Sequence, residues 1–422
     1  MAIVIANMIG TGVFTSLGYQ LEDIQSGFPL MMLWAVGGIT ALCGALTYAE
    51  LGSTLPRSGG EYNFLTQIYH PAAGFISGWI SATIGFAAPT ALAAMTFGKY
   101  LATVFPFINP AVSGCLLVII LTTVHTSTHK NSGELQRVFT ILKVVAILAF
   151  CAMALLLVGK FQPVHFMPQA NDDKLVFGGA FAVSLIYVNY AYTGWNAATY
   201  ITNEIDSPQR TLPVVLTLGT AVVVALYLLI NFTFLAVAPM SAMTGKLEIG
   251  YIAAQYAFGA YGAKIMALVL SALLVSTVSA MTIAGPRVLQ VIGQDFRTLG
   301  FLSRTNNDGL PTMAIAVQSI VAMGFILTST FEQVLVFSGF TLALSSLLAV
   351  AGIYVLRWRD PGRDRPYKTF GYPVTPMVYL LLTLWTLVYI VIQRPGEALS
   401  GVGLIAAGGV FYALSRWSDR MH

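Results

Sequence analysis

The groups in this chain best placed to do chemistry are backbone amides and one buried amine. The opening stretch, MAIVIANMIGTGVF, is apolar enough to begin a membrane-spanning helix, yet Gly10-Thr11-Gly12 interrupts it. An unpaired backbone N–H or C=O in hydrocarbon costs several kcal/mol, so a loosened turn at membrane depth survives only where protein or a water-filled cavity satisfies it. The break is either a packing notch or a binding site. A second interruption, Tyr190-Ala191-Tyr192-Thr193-Gly194-Trp195, puts glycine and polar aromatics where a lipid-facing helix would carry leucine. Lys143 is the third unusual feature. The uncharged run after it is shorter than a span, so its helix should begin near Val138 and carry the lysine inside, unless the amine snorkels to the interface.

Those residues need a scaffold, and composition says which kind. Of the 422 residues, 57% are hydrophobic and only 9% charged, against about 25% charged in an ordinary soluble domain. Nine uncharged runs, from Ile24–Ala49 to Ala398–Ser415, are each long enough for a bilayer that takes about 20 apolar residues per helix. The opening segment and spans near Val138–Gly159 and Leu175–Asn203 bring the expected total to twelve. No secretory signal peptide is visible. The sequon at Asn231-Phe232-Thr233 falls within a span and is discounted. Cys43, Cys115 and Cys151 lie in apolar runs and read as small buried side chains.

Basic residues set the orientation, because short cytoplasmic loops accumulate Lys and Arg. With twelve spans, Lys99, Lys160, Lys174, Lys246, Lys264 and Arg394 fall on one side and all the others except Lys143 on the opposite side. Both termini are expected in the cytoplasm, in a multi-pass protein of the plasma (inner) membrane. The net charge of +4 then reflects topology and calls for no nucleic acid. Glu50, Arg57, Glu61, Glu204 and Arg210 sit at cytoplasmic helix ends, either as an inner gate closed by charge pairing or as topology charges. Arg357 to Arg365 suits an anionic inner leaflet.

Breaks in spans one and six are what a five-plus-five inverted repeat predicts, with substrate between them near the midplane. Packing glycines alone would give the same pattern. The sequence also resembles the amino acid, polyamine and organocation (APC) transporter superfamily, most closely its L-type amino acid transporter (LAT) branch. The matching segments are IGTGVF at Ile9–Phe14, YAELGSTLPRSGGEYNFL at Tyr48–Leu65, ILKVVAI around Lys143, and YAYTGWNAATYITNEIDSPQRTLP at Tyr190–Pro213. GPRVLQVIGQDF followed by GLPTMAI, and LRWRDPGRDRPYKTFGYPVTP, extend the match in order along the chain.

The resemblance implies an all-α, LeuT-like fold with broken helices 1 and 6 and two additional C-terminal helices. Residues 1–159 would form the first repeat, 175–357 the second, and 358–422 the last two spans. It implies that amides of Gly10, Thr11 and Gly12 hold a carboxylate, and that carbonyls near Ile9 and along Tyr190, Ala191, Tyr192 and Thr193 hold an ammonium. Gly194 provides the second break, and Trp195 either packs or contacts substrate. Tyr190 matches the family's aromatic gate. Lys143 would stand where sodium-coupled cousins of the fold bind a cation, donating to the span-one carbonyls and to a hydroxyl among Ser276, Thr277 and Ser279, with Tyr227 nearby.

The implied function is sodium-independent exchange of neutral, small amino acids. Proton symport is the alternative, since burial disfavours a charged amine, and a nutrient receptor on the same fold is another. No Asp or Glu is expected at mid-membrane depth. Two departures from the family stand out. The chain enters its first helix almost at Met1, and Phe105–Gly114 lacks the cysteine by which heavy-chain-linked members pair, so a monomer or weak homo-oligomer without a disulfide-linked partner is expected. An enzyme is disfavoured because His70, His125, His129, His165 and His422 all fall in predicted loops or termini without a metal-ligand spacing. No cofactor is implied.

Overall fold

In the computed structural model, residues 1–127, 132–306 and 309–421 are described, and they are helical with no strand among them. Their α-helices in chain order are α1 (Ala2–Met8), α2 (Gly12–Asp23), α3 (Gly27–Thr54), α4 (Glu61–Ile68), α5 (Pro71–Ile80), α6 (Ala87–Val104), α7 (Pro110–Ser127), α8 (Ser132–Leu157), α9 (Asp172–Val176), α10 (Gly179–Tyr192), α11 (Pro208–Val237), α12 (Met240–Met243), α13 (Ile249–Asp295), α14 (Thr312–Thr328), α15 (Phe331–Arg359), α16 (Val374–Gln393) and α17 (Pro395–Met421). Ten stretches are long and apolar enough to cross a membrane, counting α1 with α2 and α5 with α6, and α14 is a shorter apolar helix. The protein is a multi-pass membrane protein. Lys130, His129 and His422 lie outside the described residues.

The boundaries follow local chemistry. Pro71 and Pro208 stand in the first turns of α5 and α11, where the missing N–H of proline leaves no helical bond unmade. His70 Nδ1 accepts the Ala72 N–H at 3.1 Å. Thr330 and Gln333 cap the start of α15 reciprocally. Hydropathy places two boundaries differently from the backbone. Lys99 ends an uncharged run, but α6 continues past it to Val104, so Lys99 is no loop residue. α5 and α6 form one stretch joined by a π-helical turn at Ser81–Gly85, and α13 is far longer than the run Ile265–Pro286, bent at Gly259 (φ 71°).

The core is a stack of aromatic side chains around the two breaks. Trp34 of α3 meets Tyr192 and Tyr227 edge-on at 5.9 and 5.7 Å, and Tyr192 and Tyr227 lie 5.0 Å apart. At the end of the bundle where α3 finishes, a buried ion cluster holds α3 to the last turn of α15. Fully buried Glu50 accepts from Arg357 Nε and Nη2 at 2.9 and 2.7 Å and from the Thr369 N–H at 2.6 Å, with Arg365 Nε 3.6 Å away. Arg357 also lies 3.7 Å over the Tyr372 ring. Removing one partner strands the other charges in a site water barely reaches. Glu50→Ala is therefore expected to cost about 3 kcal/mol, seen as a lower thermal midpoint in detergent, with Glu50→Gln intermediate.

Candidate functional site

The first break begins at Ile9 (φ −74°, ψ 83°), which closes α1 with an N–H bond to Ile5 O at 2.9 Å. The Gly10 N–H then turns back onto Met8 O at 2.8 Å, and Thr11 stands at the start of α2 without a capping bond from its side chain. The first amides of α2 have no acceptor within their own helix and sit at the positive end of its dipole. The second break follows Tyr192. Thr193 donates from both N–H and Oγ1 to Tyr190 O, at 3.0 and 2.6 Å, and Gly194 takes φ 100° before a 3₁₀ turn over Ala197–Glu204.

The glycines divide into two kinds. A Cβ on Gly12 would lie 2.4 Å from Ala191 Cα, and one on Gly194 would lie 2.8 Å from the Asn7 carbonyl carbon. Both are packing notches, each pressing one broken helix onto the other, and Gly194 also needs its positive φ. A Cβ on Gly10 would meet Thr277 Cγ2 at 3.6 Å and Met8 O at 3.9 Å, both ordinary contacts. Packing does not require glycine there.

Two buried side chains satisfy carbonyls that the breaks release. Lys143 Nζ, 1% exposed, donates to Ile9 O at 3.0 Å and to Thr277 Oγ1 at 2.9 Å. It does not snorkel. Tyr227 Oη lies 2.5 Å from Met8 O and 3.1 Å from Ala191 O, so its proton is shared between carbonyls of both broken helices. The hydroxyl cluster on α13 resolves to Thr277 alone. Ser276 Oγ is buried without a hydrogen-bond partner, and Ser279 pairs with His125 Nε2 at 2.8 Å. His125 itself lies in the last turn of α7, not in a loop.

Beside the second break is a cavity of about 70 Å³, lined by Thr193, Gly194 and Trp195 together with Asn7, Glu61, Asn196 and several serines. A second cavity of about 60 Å³ takes in Tyr190 and Tyr192 and shares Thr193 and Trp195 with the first. Ile9, Gly10, Thr11 and Gly12 line neither, and Ala191 packs on Gly12. Tyr192 is held by Trp34 O at 3.0 Å. Trp195 meets Tyr48 and Tyr379 edge-on at 4.7 and 6.1 Å while facing both cavities, so packing and lining are one role. Tyr190, 5% exposed, lies within the second cavity's wall beside Thr11.

Sequence reasoning missed Asn7, Ser81, Ser345 and Ser346, and read Glu61 only as a helix-end charge, whereas it is a buried carboxylate at the cavity. The charges at the helix ends pair selectively. Arg57 meets Asp295 at 3.0 Å and Arg287 meets Glu204 at 3.6 Å, while Tyr62 also donates to Asp295. Burial and that carboxylate push the Tyr62 hydroxyl well above its ordinary range. On the opposite side Tyr19 stacks on Tyr187 and Phe331 at 5.5 and 6.2 Å, and Glu332 accepts from Tyr187 Oη at 2.8 Å and Arg394 Nη2 at 2.6 Å. Among the described residues no group of three His, Cys, Asp or Glu side chains could hold a metal.

Two helix breaks face each other with cavities beside the second of them, and the amino acid permease family matches residues 1–408. The chain belongs to that family. It is 27% identical over 429 residues to the human (Homo sapiens) b(0,+)-type amino acid transporter 1, covering 98% of this chain and 86% of that one. It is 28% identical over 431 residues to the large neutral amino acids transporter small subunit 2 of Oryctolagus cuniculus, covering 98% and 78%. These relatives are transporters, not enzymes. The family assignment extends over both breaks and Lys143.

The glycine geometry gives a test of what each break residue does. Gly10→Ala should fold with a thermal midpoint close to that of the parent and lose substrate binding if the bare backbone there serves the ligand. Gly12→Ala should lower the midpoint itself, because the Ala191 backbone cannot yield. Thermal unfolding alongside radiolabelled substrate binding on the purified variants separates the two.

Proposed function

We propose that this protein exchanges small, neutral amino acids across the plasma (inner) membrane by alternating access, without sodium. The observation that carries the reading is the Lys143 ammonium, held between Ile9 O of the broken first helix and Thr277 of α13. A fixed cation at that position makes a bound metal cation redundant. Its two bonds also tie the break in the first helix to α13, so the unwound segment is held without an ion.

In this reading α1 with α2, α3, α5 with α6, α7 and α8 form the first five spans, within residues 1–159. The second five, within 175–357, are α10 with its 3₁₀ extension, α11, α13, α14 and α15. Helices α16 and α17 complete twelve, with both termini cytoplasmic. The carboxylate of the substrate meets the amides of Gly10, Thr11 and Gly12, with the Gly10 N–H giving up its bond to Met8 O, and its ammonium meets carbonyls at the two breaks. Small size is supported by the cavities of about 70 and 60 Å³, each below the roughly 150 Å³ that admits benzene. The unit works as a monomer or weak homo-oligomer, without a disulfide-linked partner.

Proteoliposomes in sodium-free buffer test this. Preloaded unlabelled amino acid should accelerate uptake of the labelled one. Strict dependence on sodium would overturn the reading, and uptake driven by an acidic outside without preloading would replace exchange with proton symport. Lys143→Ala should slow exchange by roughly tenfold or more, the loss of one or two charge-assisted bonds, and weaken substrate binding less.

A further inference from the structure

Glu61 is a buried carboxylate whose position the proposed exchange mechanism does not use. It is 3% exposed and opens α4 behind Gly60. Its Oε1 accepts from Tyr48 Oη at 2.9 Å and Asn196 Nδ2 at 2.6 Å, and its Oε2 accepts from Tyr200 Oη at 2.6 Å. All three donors are neutral and aim at the carboxylate oxygens, which accept from each of them. Among the described residues no ion pair includes it: the neighbouring Arg57 is taken by Asp295, and Arg287 by Glu204. A buried carboxylate is ordinarily matched by a cation, as Glu50 is. Glu61 has instead one side turned to the cavity at the second break.

The rest of that cavity suits a small cation with hydrogens to donate. Asn7 uses its amide N–H on Ile3 O at 2.8 Å, which leaves Oδ1 as its acceptor, and the hydroxyls of Ser81 and Ser346 lie on the same wall. The rings of Phe86, Trp195 and Tyr200 supply aromatic surface, which also favours an organic cation. An anion would be repelled by Glu61. An ammonium needs about three acceptors, and carboxylate, amide oxygen and hydroxyl provide them.

The geometry points to a second ligand subsite in which Glu61 receives a primary ammonium group, separate from the amides at the start of α2 that would receive a carboxylate. This rests on the proposed transport of amino acids and adds where the amine end is held on the Glu61 side of the break. The ammonium belongs either to the α-carbon of the substrate, in which case Glu61 holds it in place of the carbonyls at the breaks, or to a basic side chain, in which case the substrates extend beyond neutral amino acids.

The test uses the purified full-length protein and n-butylammonium, which has the amine and no carboxylate, with n-butanol as the neutral control. Butylammonium should raise the thermal midpoint where butanol does not, and should compete with labelled alanine. Glu61→Gln keeps the shape and the acceptor oxygen, and should weaken butylammonium binding roughly tenfold or more. Binding of lysine against norleucine, and of alanine, distinguishes the sources. A loss for alanine and lysine alike assigns the α-ammonium, and a loss for lysine alone assigns the side chain. If butylammonium stabilises the parent protein no more than butanol, or binds Glu61→Gln equally well, Glu61 is only a structural link. The comparison on the parent protein stands even if the variant does not fold. Because it reads binding of an amine, it is independent of whether exchange is seen in proteoliposomes.

Discussion

A helix interrupted inside hydrocarbon must find partners for every carbonyl it releases, and in this protein two side chains meet that demand. Lys143 reaches Ile9 O from α8, and Tyr227 reaches Met8 O and Ala191 O from α11. An unmet carbonyl at that depth costs several kcal/mol, so the backbone of the first break depends on residues over a hundred positions away in sequence. Trp34, Tyr192 and Tyr227 pack on one another beside the Tyr227 bonds, and both Tyr227 and Lys143 are buried. Low local polarity strengthens each bond that is made. The breaks persist because the packing around them supplies their donors.

The parts of this arrangement legible in the sequence were those that violate the chemistry of a lipid-facing helix. A glycine pair, a run of polar aromatics and a lysine all stand out against leucine and valine. The family resemblance assigned them roles that composition leaves open. What stayed hidden depends on rotation and tertiary approach. Ser276, Thr277 and Ser279 are equally polar, but successive helical residues point about a hundred degrees apart, and only Thr277 faces Lys143 while Ser279 turns to His125. Glu61 reads as a charge at a helix end, yet α4 folds inward and carries it to the second break. Gly10 and Gly12 look equivalent until the Ala191 backbone is placed against one of them.

The two faces of the site are closed by different chemistry. On the side of Glu61, hydroxyls and an amide from α3 and the 3₁₀ turn converge on one carboxylate. On the side of Tyr187, stacked rings from α2, α10 and α15 are backed by the Glu332–Arg394 pair. Ring stacking survives small sliding, whereas hydrogen bonds to a carboxylate are directional and weaken steeply with misalignment. The barrier on the side of Glu61 is the more sensitive to geometry.

The two notches at Gly12 and Gly194 lie on opposite sides of the breaks, one seating α2 on α10 and the other seating the 3₁₀ approach on α1. Two bodies touching at a single point can roll, but contact at two separated points removes that freedom. The broken helices therefore behave as an interlocked pair, a lever whose arms turn together. Under the proposed alternating access, a motion exposing the site to either side of the bilayer would be taken up where this pair meets its neighbours, at the bonds of Lys143 and Tyr227.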